Sequence, residues 1–200
     1  MNTQTHVLMG AVFFGGKIPR TAWAAAAGGF APDLPMLAIV AVLRLSGYGF
    51  QEIFGTLYWS PWWQIANAIG HNFLLWSLVV GLALFVRNTA NAKTAAWSRL
   101  ALAFGASALI HSGVDFLVHR EDAHMHFWPL SQWRFVSPVS YWDTNHYGAA
   151  FSLFEAALGI TMALALLARF RRWQVRAALF ICIALYAAVP LFFIFGMPHG

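Results

Sequence analysis

The chain has 200 residues, of which 60% are hydrophobic and only 10% are charged. A water-soluble domain usually has about a quarter of its residues charged, because its surface must face water. This composition therefore excludes an ordinary soluble domain and favours the lipid bilayer as the solvent. The net charge of +5 comes from short basic clusters between apolar segments, which is typical of membrane topology and does not indicate nucleic acid as a partner.

Apolar segments follow one another along the chain, and a membrane-spanning helix needs roughly 20 residues. A short segment, Thr5–Gly16, comes first, and a longer one, Thr21–Leu43, is interrupted by Pro32-Asp33-Leu34-Pro35. The remaining four are Ile65–Val86, Leu100–His119, Gly148–Ala168 and Ala177–Gly196. We therefore predict an all-α fold, a polytopic transmembrane helical bundle with about five full spans plus a short N-terminal apolar helix. Residues 1–200 would form a single integral-membrane domain.

The basic residues predict the orientation, because cytoplasmic connections carry an excess of Lys and Arg. Nine of the twelve lie in connections 17–20, 87–99 and 169–176, which share one side of the membrane if the spans alternate. The other three lie in the two longest connections, 44–64 and 120–147. We expect a multi-pass protein of the cell inner membrane, with both termini and the long connections on the non-cytoplasmic side.

Seven ionisable residues lie within the apolar segments or at their ends, where a central charge costs on the order of 2.5–3.5 kcal/mol on insertion scales. They are His6, Asp33, His71, His111, Asp115, His119 and Glu155. Under the predicted topology most of them fall in the half of the membrane that faces the long connections. We expect a shared functional site there.

His111 and Asp115 form the strongest local signal, because residues four apart share a helix face. An imidazole and a carboxylate on one face can bind the same ion, and zinc takes both kinds of ligand. The alternative is a His–Asp hydrogen bond that only orients the histidine. Because further His and Asp residues are expected at the same depth, the pattern favours a metal site.

Further histidines follow in the long connection. His119 continues the same helix face, and the stretch 120–126 adds His124 and His126. These two side chains are either metal ligands or part of a solvated loop, and the sequence leaves both interpretations open. It leaves His146 and Glu155 equally open, because they flank the start of the next helix.

Five elements occur in a fixed order along residues 5–140. They are Thr5-His6, Pro32-Asp33 after an alanine- and glycine-rich run, Gly70-His71, His111-x-x-x-Asp115, and the stretch Trp128-Pro129 to Arg134-Phe135 and Pro138. In this order the chain resembles the YdjM/YbcI-type inner-membrane metal-dependent hydrolases. More distantly, the order of ligands is similar to that of zinc-dependent phospholipases C and related nucleases.

The resemblance implies a helical, multi-spanning protein with a metal site at the membrane face. It implies metal ligands at His6, Asp33, His71, His111 and Asp115, with Asp115 able to bridge two ions. It also makes His126 and His146 candidate ligands, together with His119, His124 and Glu155, for a second ion. The chain departs from the family at three positions, since Pro35 replaces a common second acid and Asn72 and Trp76 replace Arg and His.

These observations predict a membrane-embedded hydrolase that depends on a divalent metal, most simply zinc. Asp115, His119 and Arg134 are the predicted catalytic residues, because a nearby carboxylate or imidazole can take a proton from water and a guanidinium matches a phosphate. The expected substrate is a membrane lipid or another amphiphilic phosphoester.

Two other classes of function stay open at the sequence level. One is a transporter or scaffold in which the buried His and Asp residues form an ion path. The other is a redox protein with haem between His71 and His111 as axial ligands.

Overall fold

The computed structural model describes residues 1–89 and 91–195, and all regular secondary structure within these ranges is helical. The α-helices, in chain order, are α1 (Thr3–Phe13), α2 (Pro19–Phe30), α3 (Leu34–Leu45), α4 (Phe50–Gly55), α5 (Pro61–Gly70), α6 (Phe73–Thr89), α7 (Ala92–Val118), α8 (Gly148–Arg169) and α9 (Trp173–Phe195). Short 3-10 turns lie at Ala31–Asp33, Leu57–Trp59 and Thr144–His146. The predicted all-α fold is confirmed.

Four stretches are long and apolar enough to cross a bilayer, which supports the predicted membrane bundle. They are Pro19–Leu45, Pro61–Asn88, Lys93–Val118 and Gly148–Arg169. The fifth predicted span lies in α9, of which Trp173–Ala188 forms a shorter apolar helix. Its last predicted residue, Gly196, lies outside the described residues. The short N-terminal helix is α1, with 11 residues.

The outward faces of these helices are apolar. Leu78, Leu82, Leu164 and Phe180 each expose more than half of their surface. Large contiguous apolar surfaces are rare on soluble monomers, whereas they match the hydrocarbon core of a bilayer. Ionisable side chains of the spans, such as Asp33, His111 and Asp115, lie inside the molecule instead.

The first span is broken in its middle, at the 3-10 turn between α2 and α3. Pro32 and Pro35 have no backbone N–H, so neither can continue the helical hydrogen-bond ladder. The break confirms the interruption predicted from the sequence, and it places the buried carboxylate of Asp33 at the turn. Irregular backbone at membrane depth is tolerated where it is enclosed by protein or lines a cavity.

The second span is also broken, at His71 between α5 and α6. The predicted segment Ile65–Val86 lies within one apolar stretch long enough to span, Pro61–Asn88, but the sequence analysis did not predict the break inside it. Polar groups satisfy the backbone that the break leaves free. Trp76 Nε1 donates to Gly70 O at 2.7 Å, and Asn72 Oδ1 accepts from Leu75 N at 2.9 Å. The break leaves His71 at the junction of two helices, with its ring buried.

Glycines let α1, α2 and α7 pack backbone against backbone. A Cβ on Gly28 in α2 would overlap the carbonyl of Phe104 in α7, and one on Gly29 would overlap the carbonyl of His6 in α1. Small residues at such positions allow membrane helices to approach closely. As a result the rings of His6 and His111 stack, with their centroids 3.5 Å apart.

The beginning of α1 is anchored by α8. Glu155 is 2% exposed and accepts hydrogen bonds from Asn2 N at 2.8 Å, Asn2 Nδ2 at 2.8 Å and Thr5 Oγ1 at 2.6 Å. Tyr186 in α9 reaches the same hydroxyl of Thr5 at 2.7 Å. Because Thr3 and His6 lie on this turn of α1, the Glu155 network sets their positions.

The connection between α7 and α8 folds over one end of the bundle. Phe73 N donates to His126 O at 2.9 Å, and Ser137 Oγ donates to Leu117 O at 2.6 Å. Arg134 Nη1 donates to Gln64 Oε1 at 2.8 Å and to Ala123 O at 2.7 Å. These bonds hold the histidine-rich part of the connection against α5, α6 and α7.

Candidate metal centre

Four buried side chains converge where the two broken spans meet α7. Asp33 comes from the first break, His71 from the second, and His111 and Asp115 from successive turns of α7. Each offers a ligand atom, and these atoms all lie within 4.8 Å of one another. The chain therefore contains a buried His/Asp group that can hold a metal ion.

The hydrogen bonds of the two histidines determine which ring nitrogen faces the centre. His111 Nδ1 lies 2.7 Å from Gly29 O, and His71 Nδ1 lies 3.1 Å from Asn67 O. A carbonyl oxygen only accepts, so in the neutral ring Nδ1 carries the proton and Nε2 carries the lone pair. Metal-ligating histidines commonly have their other nitrogen held in this way.

Both Nε2 lone pairs face carboxylate oxygens. His111 Nε2 lies 3.0 Å from Asp115 Oδ2 and 3.6 Å from Asp33 Oδ1. His71 Nε2 lies 3.3 Å from Asp115 Oδ2 and 3.6 Å from Asp33 Oδ1. In the neutral rings these lone pairs repel the carboxylate oxygens unless a proton or a metal ion lies between them, and neither Nε2 has a hydrogen-bond partner.

The distances fit a tetrahedral ion. Zinc lies about 2.0–2.2 Å from imidazole and carboxylate ligands, which places neighbouring ligand atoms about 3.3 Å apart. The four measured separations, 3.0 to 3.6 Å, bracket that value. These four separations are therefore of the size that a bound ion requires, and the remaining ones stay within 4.8 Å.

Two further residues orient the carboxylates. Thr3 Oγ1 donates to Asp33 Oδ2 at 2.6 Å, so the other oxygen, Oδ1, is the one turned toward the histidines. His6 Nε2 lies 2.9 Å from Asp115 Oδ1, on the oxygen that faces away from His71 and His111. His6, a predicted ligand, therefore contacts the site through Asp115 in this structure.

Histidines of the connection between α7 and α8 lie next to this group. His119 Nε2 lies 3.4 Å from Asp115 Oδ1, and the ring of His124 packs on His71 with centroids 4.0 Å apart. Burial lowers the pKa of His124 well below its ordinary value and lowers that of His126 to about 4. Both rings are thus neutral at neutral pH, with a lone pair available. His126 adjoins His124 but belongs to none of the groups that can hold an ion.

A cavity of about 460 Å³ opens from the site. Part of its lining is ionisable: Asp33, His71 and Asp115, with His119, Asp122 and His124 from the connection. Another part is largely aromatic and apolar: Met36, Phe54, Tyr58, Trp59, Tyr141 and Trp142. A ligand in this cavity would therefore meet both ionisable and apolar side chains.

Two predicted site residues lie elsewhere. Arg134 is bonded to Gln64 and Ala123 and does not line the cavity. His146 lies 2.5 Å from Asp143 Oδ2 and forms a separate, partly exposed group with Glu121. The structure therefore does not bring either residue to the central group.

Asp122 is a site residue that the sequence analysis did not single out. It lines the cavity, is 9% exposed, and its Oδ2 lies 2.9 Å from His119 Nδ1. The contact with His119 outweighs the effect of burial and holds the pKa of Asp122 below its ordinary value. A spacing of three residues would place His119 and Asp122 on one helix face, and this was the available signal in the sequence. Because α7 ends at Val118, however, helical spacing does not account for their contact.

Comparison with family models, characterised proteins and solved structures finds no match to this chain. The argument for function therefore rests on the site. The haem alternative has no support there, because the rings of His71 and His111 lie edge to face with centroids 5.2 Å apart, leaving no slot for a porphyrin between them.

Proposed function

We propose that the protein is a membrane-embedded, metal-dependent hydrolase with zinc as its metal. The observation that carries the proposal is the pair of tautomer-fixed Nε2 atoms facing two carboxylates in a buried site. Asp33, His71, His111 and Asp115 are the ligands. Two imidazoles and two carboxylates are a ligand set that zinc accepts. The resemblance of motif order to the YdjM/YbcI-type hydrolases agrees with this proposal.

Asp33, His71, His111 and Asp115 would hold the zinc with a fifth position left for water or substrate. The ion would then lower the pKa of that water toward neutrality and polarise an ester oxygen. Hydrolysis also requires a group that accepts the proton of the attacking water. Asp122 lines the cavity as a carboxylate whose Oδ1 has no hydrogen-bond partner, so it is placed to accept a proton. The break at Gly70 and His71 leaves His71 in the cavity lining beside Asp33 and Asp115, within reach of a substrate.

The cavity supports an amphiphilic phosphoester or related lipid ester as the substrate. Its aromatic lining residues suit an acyl or isoprenoid portion, and its ionisable lining residues suit the ester group. Pockets of this kind, apolar with a few convergent polar groups, are the usual form of a small-molecule site. From the distribution of basic residues, we place the site on the non-cytoplasmic side of the inner membrane.

A turnover assay tests the proposal. Detergent-purified protein with added zinc is expected to hydrolyse members of a panel of chromogenic phosphodiesters, phosphomonoesters and carboxylic esters. Chelation and the variant His111→Ala are each expected to abolish turnover, because the ion is lost. His146→Ala is the matched control, since His146 lies in the separate group, and should keep full activity. An absence of zinc-dependent turnover across the panel, or full activity in His111→Ala, would refute hydrolysis at this site.

A further inference from the structure

We propose that one end of the helical bundle binds the headgroups of anionic phospholipids. Nine of the twelve Lys and Arg residues lie there, and we call it the basic end. They are Lys17, Arg20, Arg87, Lys93, Arg99, Arg169, Arg171, Arg172 and Arg176. The partner is a lipid of the surrounding bilayer, and its binding does not depend on hydrolase activity.

Helices α1 and α2 meet at the basic end. An added Cβ on Gly10 would meet Ala25, and one on Gly15 would meet Ala22, so the two helices are antiparallel. The early part of α1 and the end of α2 adjoin the candidate metal centre. Their connection, 14–18, therefore lies at the other end of the bundle.

Helix α8 ends beside the end of α1. Near the start of α8, Glu155 accepts a hydrogen bond from Thr5, and at its end Arg169 Nη1 donates to Ala11 O at 3.0 Å. The two helices therefore run parallel. The connection 170–172, which leads into α9, lies at the same end as the connection that follows α1.

Helices α6 and α7 also meet at the basic end. The rings of Phe73 and Phe116 pack near the candidate metal centre, with centroids 5.7 Å apart, and an added Cβ on Gly105 would meet Val79. These contacts make the two helices antiparallel. The end of α6 and the start of α7 therefore lie away from the centre, so all three basic connections share one end.

The charge of the basic end is not balanced by acidic residues of the same connections. None of the seven Asp and Glu residues lies in connections 17–20, 87–99 or 169–176. Eight of the nine basic side chains are exposed, and Arg176 is partly buried. Clusters of Lys and Arg beside a membrane helix attract anionic lipids, and each basic residue contributes about fivefold to the affinity.

Exposed tryptophans place the basic end at the depth of the lipid headgroups. Trp23, Trp97 and Trp173 each lie in the first two turns of a helix that starts there, and they expose 62%, 66% and 73% of their surface. Tryptophan side chains gather where the hydrocarbon of a bilayer meets the headgroups. The basic residues beside them therefore lie level with the lipid phosphates.

Arg171 and Arg172 are the principal contacts of the proposed lipid site. Their neighbours Arg169 and Arg176 each donate a hydrogen bond of 3.0 Å to a backbone carbonyl near the end of α1 or α8. By contrast, Arg171 and Arg172 are exposed, and neither guanidinium has a hydrogen-bond or ion-pair partner in the described part of the chain. A guanidinium can bind a phosphate through two parallel hydrogen bonds.

Native mass spectrometry of the full chain in detergent tests the proposal, with phosphatidylglycerol and phosphatidylcholine of identical acyl chains as probes. Wild type is expected to bind phosphatidylglycerol at least fivefold more tightly. Arg171→Gln/Arg172→Gln should lose most of this preference, whereas Arg171→Lys/Arg172→Lys should keep it in large part because the charge remains. Arg44→Gln is the matched control, since Arg44 is exposed but lies outside the basic end, and should behave as wild type.

Detergent micelles have no sidedness, so this measurement is independent of any effect of the arginines on insertion. Equal affinity of wild type for the two lipids, or an unchanged preference in Arg171→Gln/Arg172→Gln, would overturn the proposal. Glycerol 3-phosphate, which has the phosphate without the acyl chains, should not displace phosphatidylglycerol at equal concentration. Complete displacement would show that a soluble phosphate, and not a lipid, is the partner.

Discussion

At the scale of single residues, the geometry of the site depends on groups that hold each ligand in one orientation. The carbonyls of Gly29 and Asn67 orient His111 and His71, and Thr3 orients Asp33. A metal site on three different elements needs such partners, because loss of one typically lowers metal affinity 10- to 100-fold. The ligands themselves are therefore only part of the site.

His126 is predicted to make the metal-free protein sensitive to acid. Burial lowers its pKa from 6.5 to about 4, so between these values the unfolded chain takes up a proton that the folded chain does not. Stability therefore falls as the pH drops through this window, by up to about 3 kcal/mol from this group. In melting curves of chelated protein, His126→Asn should lose less stability between neutral pH and pH 4 than wild type.

Gly81→Ala provides the comparison for that measurement. It should follow the wild-type pH dependence, because it changes no ionisable group and nothing lies within 4 Å of its added Cβ. Equal acid sensitivity in wild type and His126→Asn would show that His126 does not remain neutral in the folded protein.

At the scale of helices, two breaks and one continuous helix build the site. Asp33 reaches the centre from the 3-10 turn that follows the end of α2 at Phe30, and His71 reaches it because α5 ends at Gly70. His111 and Asp115 reach it from the continuous helix α7 by their spacing alone. The close contact of α2 with α7 is what aligns the first break with these two ligands.

Gly28 tests that contact directly. Gly28→Ala is expected to force α2 and α7 apart, since the new Cβ would overlap the carbonyl of Phe104; overpacking of this kind costs about 1–3 kcal/mol. Gly81→Ala is the matched control, because nothing lies within 4 Å of its added Cβ, and helix propensity predicts unchanged or slightly raised stability. Thermal melting in detergent and zinc content should both fall for Gly28→Ala only. Equal melting of the two variants would contradict the packing account.

Comparing the helices and their breaks with the predicted segments shows which parts of the site could be predicted from the sequence. The spacing of His111 and Asp115 is local, so a helical pattern suffices to pair them, and the prolines around Asp33 predict a break. The break at His71 depends on Trp76 and Asn72 satisfying freed backbone groups, which only tertiary contacts reveal. Arg134 was expected to face a substrate, but its bonds to Gln64 and Ala123 depend on how the connection folds over the bundle.

At the scale of the whole molecule, the polar residues are gathered inside an apolar exterior. Charged and imidazole groups at membrane depth are costly unless they pair with one another or bind ions. Here three carboxylates and several histidines share one enclosed region that opens to a cavity. Composition and hydropathy predict the membrane bundle. The convergence of four ligands from three elements on one point follows from helix packing, which no single segment encodes.

Metal analysis tests the central claim most directly. Detergent-purified wild type, prepared with zinc and then washed, should contain stoichiometric zinc by inductively coupled plasma mass spectrometry. Asp33→Asn/His111→Ala should lose the ion bound by Asp33, His71, His111 and Asp115, while Asp143→Asn/His146→Ala, which alters only the separate group, should match wild type. Wild-type protein without stoichiometric metal, or full zinc content in Asp33→Asn/His111→Ala, would contradict the account.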